Sequence, residues 1–203
     1  MKIDVKARKI SFKKDLNKLD ELALLFSERL SAAKIHHVFL SGYVAILFGR
    51  NRQSEDIDVV CERVPFRTFA GFWADINKEF ECIITSNART AYNEYLNEGM
   101  AIRFARRGEF IPNVEMKIGT TTMHREALSY SLTVAINKRT LPISPLEQQI
   151  AYKLYMGSEK DVEDARFLFK LFEENIDKDK LGRYLTALKV QRRKARRHLG
   201  WSK

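Results

Sequence analysis

The hydrophobic positions of this chain follow two periods, which together predict a mixed fold of helices and strands. Apolar residues recur at helical spacing over residues 15–33, among them Leu19, Ala23, Phe26 and Leu30, and predict one long amphipathic helix. Shorter apolar or alternating runs, bounded by glycine, proline and polar residues, predict strands. The strands are expected near residues 2–12 and over residues 38–40, 56–60, 81–85, 100–106, 114–118, 132–136 and 140–143.

Helical patterns separate several of these strands and fill the last third of the chain. The helices are expected over residues 43–48, 65–76, 88–96, 144–156, 158–172 and 177–188. Ser144, Pro145 and Glu147 have the spacing of a capping box with proline at the first helical position. The change of pattern predicts a mixed core over residues 1–143 and a helical extension, packed on that core, over residues 144–203.

Residues 38–60 hold the pattern with the clearest chemical meaning. A short apolar strand leads to Ser41 and Gly42, an apolar helical run follows, and a basic loop leads to a strand that carries Asp56 and Asp58. Strand side chains alternate, so the two carboxylates share a face, where they repel unless solvent or a cation separates them. Gly42 leaves the backbone open to a phosphate, and the following helix offers it N–H groups. Carboxylate oxygens nearby suit Mg²⁺, which binds one or two carboxylates together with substrate phosphates.

The ordered set of strand, Ser-Gly turn, apolar helix, basic loop and Asp-x-Asp strand resembles the signature of the DNA polymerase β-like nucleotidyltransferases. Arg50, Arg52 and Ser54, which precede the aspartates, resemble the branch that contains the abortive-infection type IV toxins. The resemblance implies an α+β nucleotidyltransferase fold, in which helices flank a small mixed sheet and a helical C-terminal part closes over the active face. It also implies transfer of a nucleoside monophosphate from an NTP to an acceptor hydroxyl, assisted by Mg²⁺ or Mn²⁺. An RNA or tRNA acceptor and an antitoxin partner would follow from the toxin branch.

The same resemblance assigns roles to individual residues. A single acid, Glu115, lies in an apolar strand and resembles the third metal-binding carboxylate of the family, although the family often has Asp there. Lys153 and the later Lys-Asp-x-x-Asp pattern resemble the C-terminal motifs of the toxin branch, which implies that Lys153 and Asp161 contribute to the triphosphate pocket. The implied metal-binding and catalytic residues are Asp56, Asp58 and Glu115, and the implied nucleotide-binding residues are Ser41, Gly42, Ser54, Lys153 and Asp161.

Charge and composition add a possible partner and a location. The chain has 203 residues and a net charge of +10, and its last fifteen residues contain seven Lys or Arg and no acid. We therefore expect a basic helix whose end projects from the body and offers Arg192, Arg193, Arg196 and Arg197 to a nucleic-acid backbone. No apolar run has the length of a membrane span or a signal peptide, so no membrane partner and a cytoplasmic location are expected.

Simpler interpretations of the same residues remain open. An Asp-x-Asp pair often marks only a solvated strand end, Glu115 suits a half-exposed strand, and Lys160 and Asp164 have the spacing of a surface ion pair. The basic end suits a frayed terminus. A catalytically inactive nucleotide- or nucleic-acid-binding protein, a nucleotide sensor, and an enzyme that modifies a protein or small molecule are the alternative functions. Retention of both aspartates favours an active site.

Overall fold

A mixed sheet forms the centre of the computed structural model, which describes residues 3–200 except for the side chain of Arg192. Within this range the strand order is β1-β2-β8-β9-β3-β4-β7-β6-β5. The pairs β2–β8, β3–β9 and β4–β7 are parallel, and the remaining neighbours are antiparallel. The strands are β1 (Asp4–Lys6), β2 (Lys9–Phe12), β3 (His37–Leu40), β4 (Asp56–Cys61), β5 (Phe80–Cys82), β6 (Ile102–Arg106), β7 (Asn113–Ile118), β8 (Leu132–Ile136) and β9 (Arg139–Ile143).

Helices connect these strands and then form the C-terminal part of the described chain. They are α1 (Lys18–Ala32), α2 (Gly42–Leu47), α3 (Phe66–Ile76), α4 (Ala88–Thr90, continued by a π-helical turn over Ala91–Leu96), α5 (Thr122–Ser129), α6 (Leu146–Met156), α7 (Glu159–Leu171), α8 (Lys178–Ala187) and α9 (Arg192–Leu199). None of the helices within residues 3–200 combines the length and the apolar character that a membrane crossing requires. The division at residue 143 stays a prediction, because one hydrophobic core contains residues from both sides of it.

The longest predicted helix forms for local reasons that the sequence contains. Asn17 caps α1 by accepting a hydrogen bond from the Asp20 N–H, and the Asp20 side chain accepts one from the Asn17 N–H. The apolar stripe then buries Leu22, Phe26 and Leu30 completely or nearly so. The ring of Phe26 packs against aromatic side chains of α3, β5 and β6, which joins the helix layer to the sheet.

The two faces of the sheet have different coverings, and this difference positions the candidate site. On β4, Ile57 and Val59 point into the main core, whereas Val60 packs with Val38 and with Leu128 of α5 in a small separate cluster. Asp56, Asp58 and Val60 alternate with the core residues along the strand and therefore share the second face. Helix α5 thus covers the part of that face around Val60, and the two aspartates lie next to the covered part.

The capping box predicted at Ser144 is wrong. Helix α6 begins at Leu146 with Pro145 at the N-cap, and the Ser144 side chain does not cap it. The Ser144 N–H donates to the Phe39 carbonyl of β3 (3.0 Å), which holds Ser144 at the end of the sheet. The Glu147 side chain instead accepts a hydrogen bond from the Asp177 N–H (3.1 Å) at the start of α8.

The projecting basic helix is also wrong. The chain turns after α8, and α9 folds back against α6 and α7, with Ala195 fully buried. Lys194 Nζ donates to the Leu154 carbonyl (2.7 Å), and Arg166 Nε donates to the His198 carbonyl (2.8 Å). Three apolar residues that are sparse in the sequence suffice to dock this short helix: Val190, Ala195 and Leu199 all contact the main core.

Candidate functional site

Three neighbouring strands bring the predicted carboxylates together. Asp58 of β4 lies opposite Leu40 of β3 and beside Glu115 of β7, because β4 runs antiparallel to β3 and parallel to β7. Ser41 directly follows Leu40, and Asp56 lies two residues before Asp58 on the same face. The expected proximity of Glu115 to the aspartates is therefore present in the strand register.

The environment of Asp58 opposes its negative charge. The pKa of Asp58 is raised above its usual value, chiefly because burial removes the carboxylate from water. The ammonium of Lys117 and a hydrogen bond from the Ser41 side chain lower this pKa, whereas the charges of Glu115 and Asp56 raise it further. A cation that binds beside Asp58 would thus stabilise its charged form.

Ser54 supports Asp56 directly. The Ser54 hydroxyl is 3.2 Å from both the Asp56 carbonyl oxygen and Asp56 Oδ1, and Asp56 itself is exposed at the strand end. The contact holds the Asp56 carboxylate at the start of β4. The structure therefore places Ser54 as a partner of Asp56, while its nucleotide-binding role stays a prediction.

Glu115 has a partner that the sequence did not indicate. Arg103, opposite it on β6, donates from Nε (3.0 Å) and Nη2 (2.9 Å) to Glu115 Oε2. Within residues 3–200, no three His, Cys, Asp or Glu side chains converge as a metal-binding group. The oxygen donors of Asp56 and Asp58 nevertheless fit Mg²⁺ or Mn²⁺, which bind one or two carboxylates with substrate phosphates. Both bonds from Arg103 go to Oε2, so Glu115 could join them through Oε1 while it keeps Arg103.

An arginine side chain occupies the space beside the Gly42 backbone, which was expected to be open to a phosphate. A Cβ built on Gly42 would lie 2.1 Å from Arg52 Nη2, so the guanidinium lies in contact with this backbone. Ser41, just before it, has the positive φ of 64°, which is uncommon for a residue with a side chain. The absence of a side chain at position 42 therefore admits Arg52, a group that itself binds phosphate well.

A buried carboxylate on α7 collects three cations. Asp164 is completely buried and receives Lys153 Nζ (2.8 Å), Arg52 Nη2 (3.1 Å) and Arg50 Nε (3.3 Å). The expectation that Asp164 forms a surface pair with Lys160 is therefore wrong. The sequence contained a signal for this, since helical spacing places Asp164 on the same side as Leu168, on the face that α7 buries.

Lys153 and Asp161 lie at the edge of this charged cluster. Lys153 is 3% exposed, and its ammonium contacts Asp161 Oδ1 (3.3 Å) as well as Asp164. Burial alone would raise the pKa of Asp161, but the hydrogen bond with Ser158 and the charge of Lys153 together lower it. Both side chains are thus engaged with each other, and their contact with a triphosphate stays a prediction.

A cleft beside Asp58 was not found from the sequence. It has a volume of about 420 Å³ and lies between β3, α5 and α6. Ser41 lines it and also bonds to Asp58, which makes the cleft continuous with the carboxylate site. Its residues come from segments 40–41, 117–127 and 144–155, and such long separations leave no local pattern in the chain.

The predicted nucleic-acid-binding arginines all belong to α9. Arg193 and Arg197 are exposed there, and Arg196 lies on the same helix, whereas the side chain of Arg192 lies outside what the structure describes. Since α9 packs on α6 and α7, these residues decorate the docked helical part. The structure does not bring them to Asp56 and Asp58.

Solved structures show which fold this is. The chain is similar to an antigenic nucleotidyltransferase-like protein from Paracoccidioides brasiliensis, with 16% identity, 90% of this chain and 92% of that chain covered, and a TM-score of 0.56. It is also similar to the antibiotic-resistance factor ANT(2'')-Ia, with 12% identity, coverage of 88% and 97%, and a TM-score of 0.52. No family model and no curated protein matches the sequence. The fold is that of the nucleotidyltransferases, as expected.

Proposed function

We propose that this protein is a metal-dependent nucleotidyltransferase that moves a nucleoside monophosphate from an NTP to an acceptor hydroxyl. The observation that carries the proposal is the strand register in this fold, which places Asp58 beside Glu115 and next to the Ser41-Gly42 turn. Paired carboxylates with a cleft alongside suit phosphoryl transfer, in which the protein mainly positions groups and balances charge.

The reaction forms a bond between the acceptor oxygen and the α-phosphorus and breaks the bond from that phosphorus to the β-phosphate oxygen. Pyrophosphate leaves, and the acceptor hydroxyl loses its proton. Asp56 and Asp58, together with Glu115, would hold Mg²⁺ or Mn²⁺, which when bound would activate the hydroxyl and neutralise the phosphates. Ser41 orients Asp58 through its hydrogen bond.

The chain supplies further positive charge for the triphosphate. Arg52 lies against the Gly42 backbone, and Lys153 lies in the cluster around Asp164. Arg52 supplies a planar guanidinium and Lys153 a mobile ammonium, both of which pair with phosphate oxygens. In this proposal the triphosphate replaces the Asp164 and Asp161 carboxylates as the partner of these two cations.

The acceptor in this proposal is RNA, such as a tRNA end, with a toxin-like role and a cognate antitoxin. The support is the net charge of +10 and the exposed Arg193 and Arg197 on α9. The test is incubation of the protein with Mg²⁺, each α-³²P-labelled NTP and total RNA. Label in RNA supports this acceptor, label in protein or in a small molecule redirects it, and no transfer with any NTP contradicts the proposed reaction.

The matched variants are Asp58→Asn and Glu98→Gln. Asp58→Asn should lower transfer by at least about a hundredfold, because it removes a carboxylate that would hold the metal ion. The protein should stay folded, because Glu115 and Asp56 repel the charge of this carboxylate. Glu98 is exposed, in the loop before β6, and contacts none of the site residues named above, so Glu98→Gln should transfer like the wild type. Full activity of Asp58→Asn would exclude the proposed mechanism.

A further inference from the structure

The cleft beside Asp58 contains two buried polar atoms that have no hydrogen-bond partner among the described residues. They are Gln148 Oε1 of α6 and His124 Nδ1 of α5. Buried polar groups in proteins are nearly always paired, since leaving one unpaired costs free energy. Two such atoms in the wall of one cleft therefore indicate a ligand that supplies their partners.

The orientation of Gln148 is fixed by its other end. Gln148 Nε2 donates to the Met123 carbonyl (2.7 Å), which leaves Oε1 as the free acceptor of the amide. The side chain is 5% exposed, so it has little freedom to turn towards solvent. Gln148 Nε2 also lies 3.7 Å from Met123 Sδ, so the amide nitrogen is engaged, and Oε1 is the unpaired polar atom of a residue that lines the cleft.

His124 is neutral in this setting. Its pKa is lowered, first because burial opposes the charged ring and then because Lys117 lies nearby. A neutral imidazole offers one donor and one acceptor nitrogen, so its Nδ1 can pair with a ring nitrogen or a carbonyl of a ligand. Together the two residues form part of the polar wall of the cleft, which also contains Ser41, Lys117, Thr121, Ser144 and Gln149.

The apolar part of the cleft wall suits a flat aromatic ring. Leu40, Met123 and Ala127 supply apolar surface, and Tyr152 supplies an aromatic ring. The volume of about 420 Å³ falls within the range of small-ligand sites. The charge of Asp58 contributes to a raised pKa of Tyr152, behind burial and Tyr155, which shows that the ring lies near the carboxylate site.

We infer that this cleft holds the nucleobase of the NTP and that Gln148 Oε1 accepts a hydrogen bond from an exocyclic amino group of the base. The inference rests on the proposed nucleotidyl transfer and adds its base selectivity. Adenine and cytosine carry an amino group where hypoxanthine and uracil carry an oxygen. An oxygen there would face Gln148 Oε1, and two acceptors cannot pair.

The selectivity is measured by calorimetric titration of the full chain with ATP, ITP, CTP and UTP in the presence of Mg²⁺. ATP should bind at least about tenfold more tightly than ITP, and CTP than UTP, which is the ratio one lost hydrogen bond of this kind gives. Within each pair an oxygen replaces the exocyclic amino group, and the adjacent ring nitrogen changes from an acceptor to an N–H donor. Equal affinities within both pairs overturn the inference.

Variants assign the selectivity to Gln148. Gln148→Met keeps the side-chain length and removes the acceptor, so both affinity ratios should fall to about one. Gln148→Asn keeps the amide but withdraws it by one methylene and should also reduce the ratios, which covers the case in which Gln148→Met does not fold. Gln191→Met, at an exposed position before α9, should leave them unchanged. Unchanged ratios in a folded Gln148 variant overturn the assignment.

The outcome separates this inference from the proposed function. Labelled transfer without discrimination within either nucleotide pair leaves nucleotidyl transfer standing and overturns the role of Gln148. Discrimination that disappears in the variants supports the role. Absence of binding for all four nucleotides overturns both, because neither survives without an NTP site.

Discussion

At the scale of single residues, Gly42 is a position with no room for a side chain while Arg52 stays in place. The nearest atom to an added Cβ is Arg52 Nη2 at 2.1 Å, and that guanidinium is tied to the buried Asp164. Gly42→Ala should therefore displace Arg52 and lower the free energy of unfolding by about 1–3 kcal/mol. Chemical denaturation measures this change.

The matched control for Gly42 is Gly71, inside α3, where nothing lies within 4 Å of an added Cβ. Gly71→Ala should be neutral or stabilise the protein by up to about 1 kcal/mol, because alanine is the better helix former. Equal effects of the two substitutions would show that the contact between Gly42 and Arg52 does not constrain the loop.

His37 gives the protein a defined sensitivity to acid. Its Nδ1–H donates to the Ile35 carbonyl (2.9 Å), so Nε2 accepts from the Ser27 hydroxyl (2.8 Å), and burial lowers the pKa of His37 to about 4. The unfolded chain takes up this proton near pH 6.5, whereas the folded chain resists it. Stability should therefore fall as the pH drops from 6.5 towards 4, by up to about 3 kcal/mol.

The measurement is the free energy of unfolding of the wild type and of His37→Gln between pH 7.5 and 4.5. The substitution removes the titrating group, so the variant should lose less stability across this window. A wild type and a variant with parallel pH profiles would show that other groups govern the acid response. His36→Gln is the comparison: His36 is exposed and its charge is the smallest cause of the lowered pKa of His37, so this variant should change the profile much less than His37→Gln.

At the scale of elements, Asp164 joins α7 to α6 and to the loop before β4. Three cations contact its fully buried carboxylate, so Asp164→Asn leaves them facing one another without the charge that balances them. Arg50 keeps Glu163 and Lys153 keeps Asp161, so we expect a loss of unfolding free energy of about 3 kcal/mol, the lower end for buried pairs that lose one partner. Thermal and chemical denaturation measure it.

The neighbouring Glu163 provides the comparison for Asp164. It also contacts Arg50, but it is exposed, so Glu163→Gln should cost at most about 1 kcal/mol. Combining Asp164→Asn with Lys153→Met should recover part of the loss by removing one of the unbalanced cations. If Asp164→Asn alone were as stable as Glu163→Gln, water would already screen the charges of the cluster.

Elements with a strong local pattern were predictable, and those fixed by distant contacts were not. The long stripe of α1, the hairpin β8–β9 and the Ser158 and Asp177 caps follow from periodicity and capping chemistry. Strand β5 is shorter than expected, because only Phe80–Cys82 pairs with β6. Ser144 has the right type for a cap, but its bond to β3 takes priority.

The candidate site divides in the same way. The placement of Asp58 beside Glu115 was predictable because strand alternation and a family pattern both favour it. The Arg103 contact with Glu115 and the cleft with Gln148 depend on how strands and helices far apart in sequence meet. Pairings of that kind leave no periodic trace in a single sequence.

At the scale of the whole molecule, the basic C-terminal helix is part of the folded body and still offers charge to a polyanion. Arg193 and Arg197 are exposed on α9, while Ala195 between them is buried and anchors the helix. Removing the segment would therefore uncover core surface as well as remove charge. Substitution of the two exposed arginines isolates the charge.

The last prediction concerns the salt dependence of RNA affinity. If Arg193 and Arg197 contact phosphates, replacing both with Gln should reduce the slope of log K against log salt by about 1.4–1.8 units between about 50 and 200 mM salt. Lys13→Gln with Lys138→Gln lowers the net charge equally at exposed positions of another part of the body. An equal slope change in both double variants would mean that α9 acts only through net charge. An unchanged slope for the arginine pair would reject α9 as an RNA contact and leave nucleotidyl transfer to its own test.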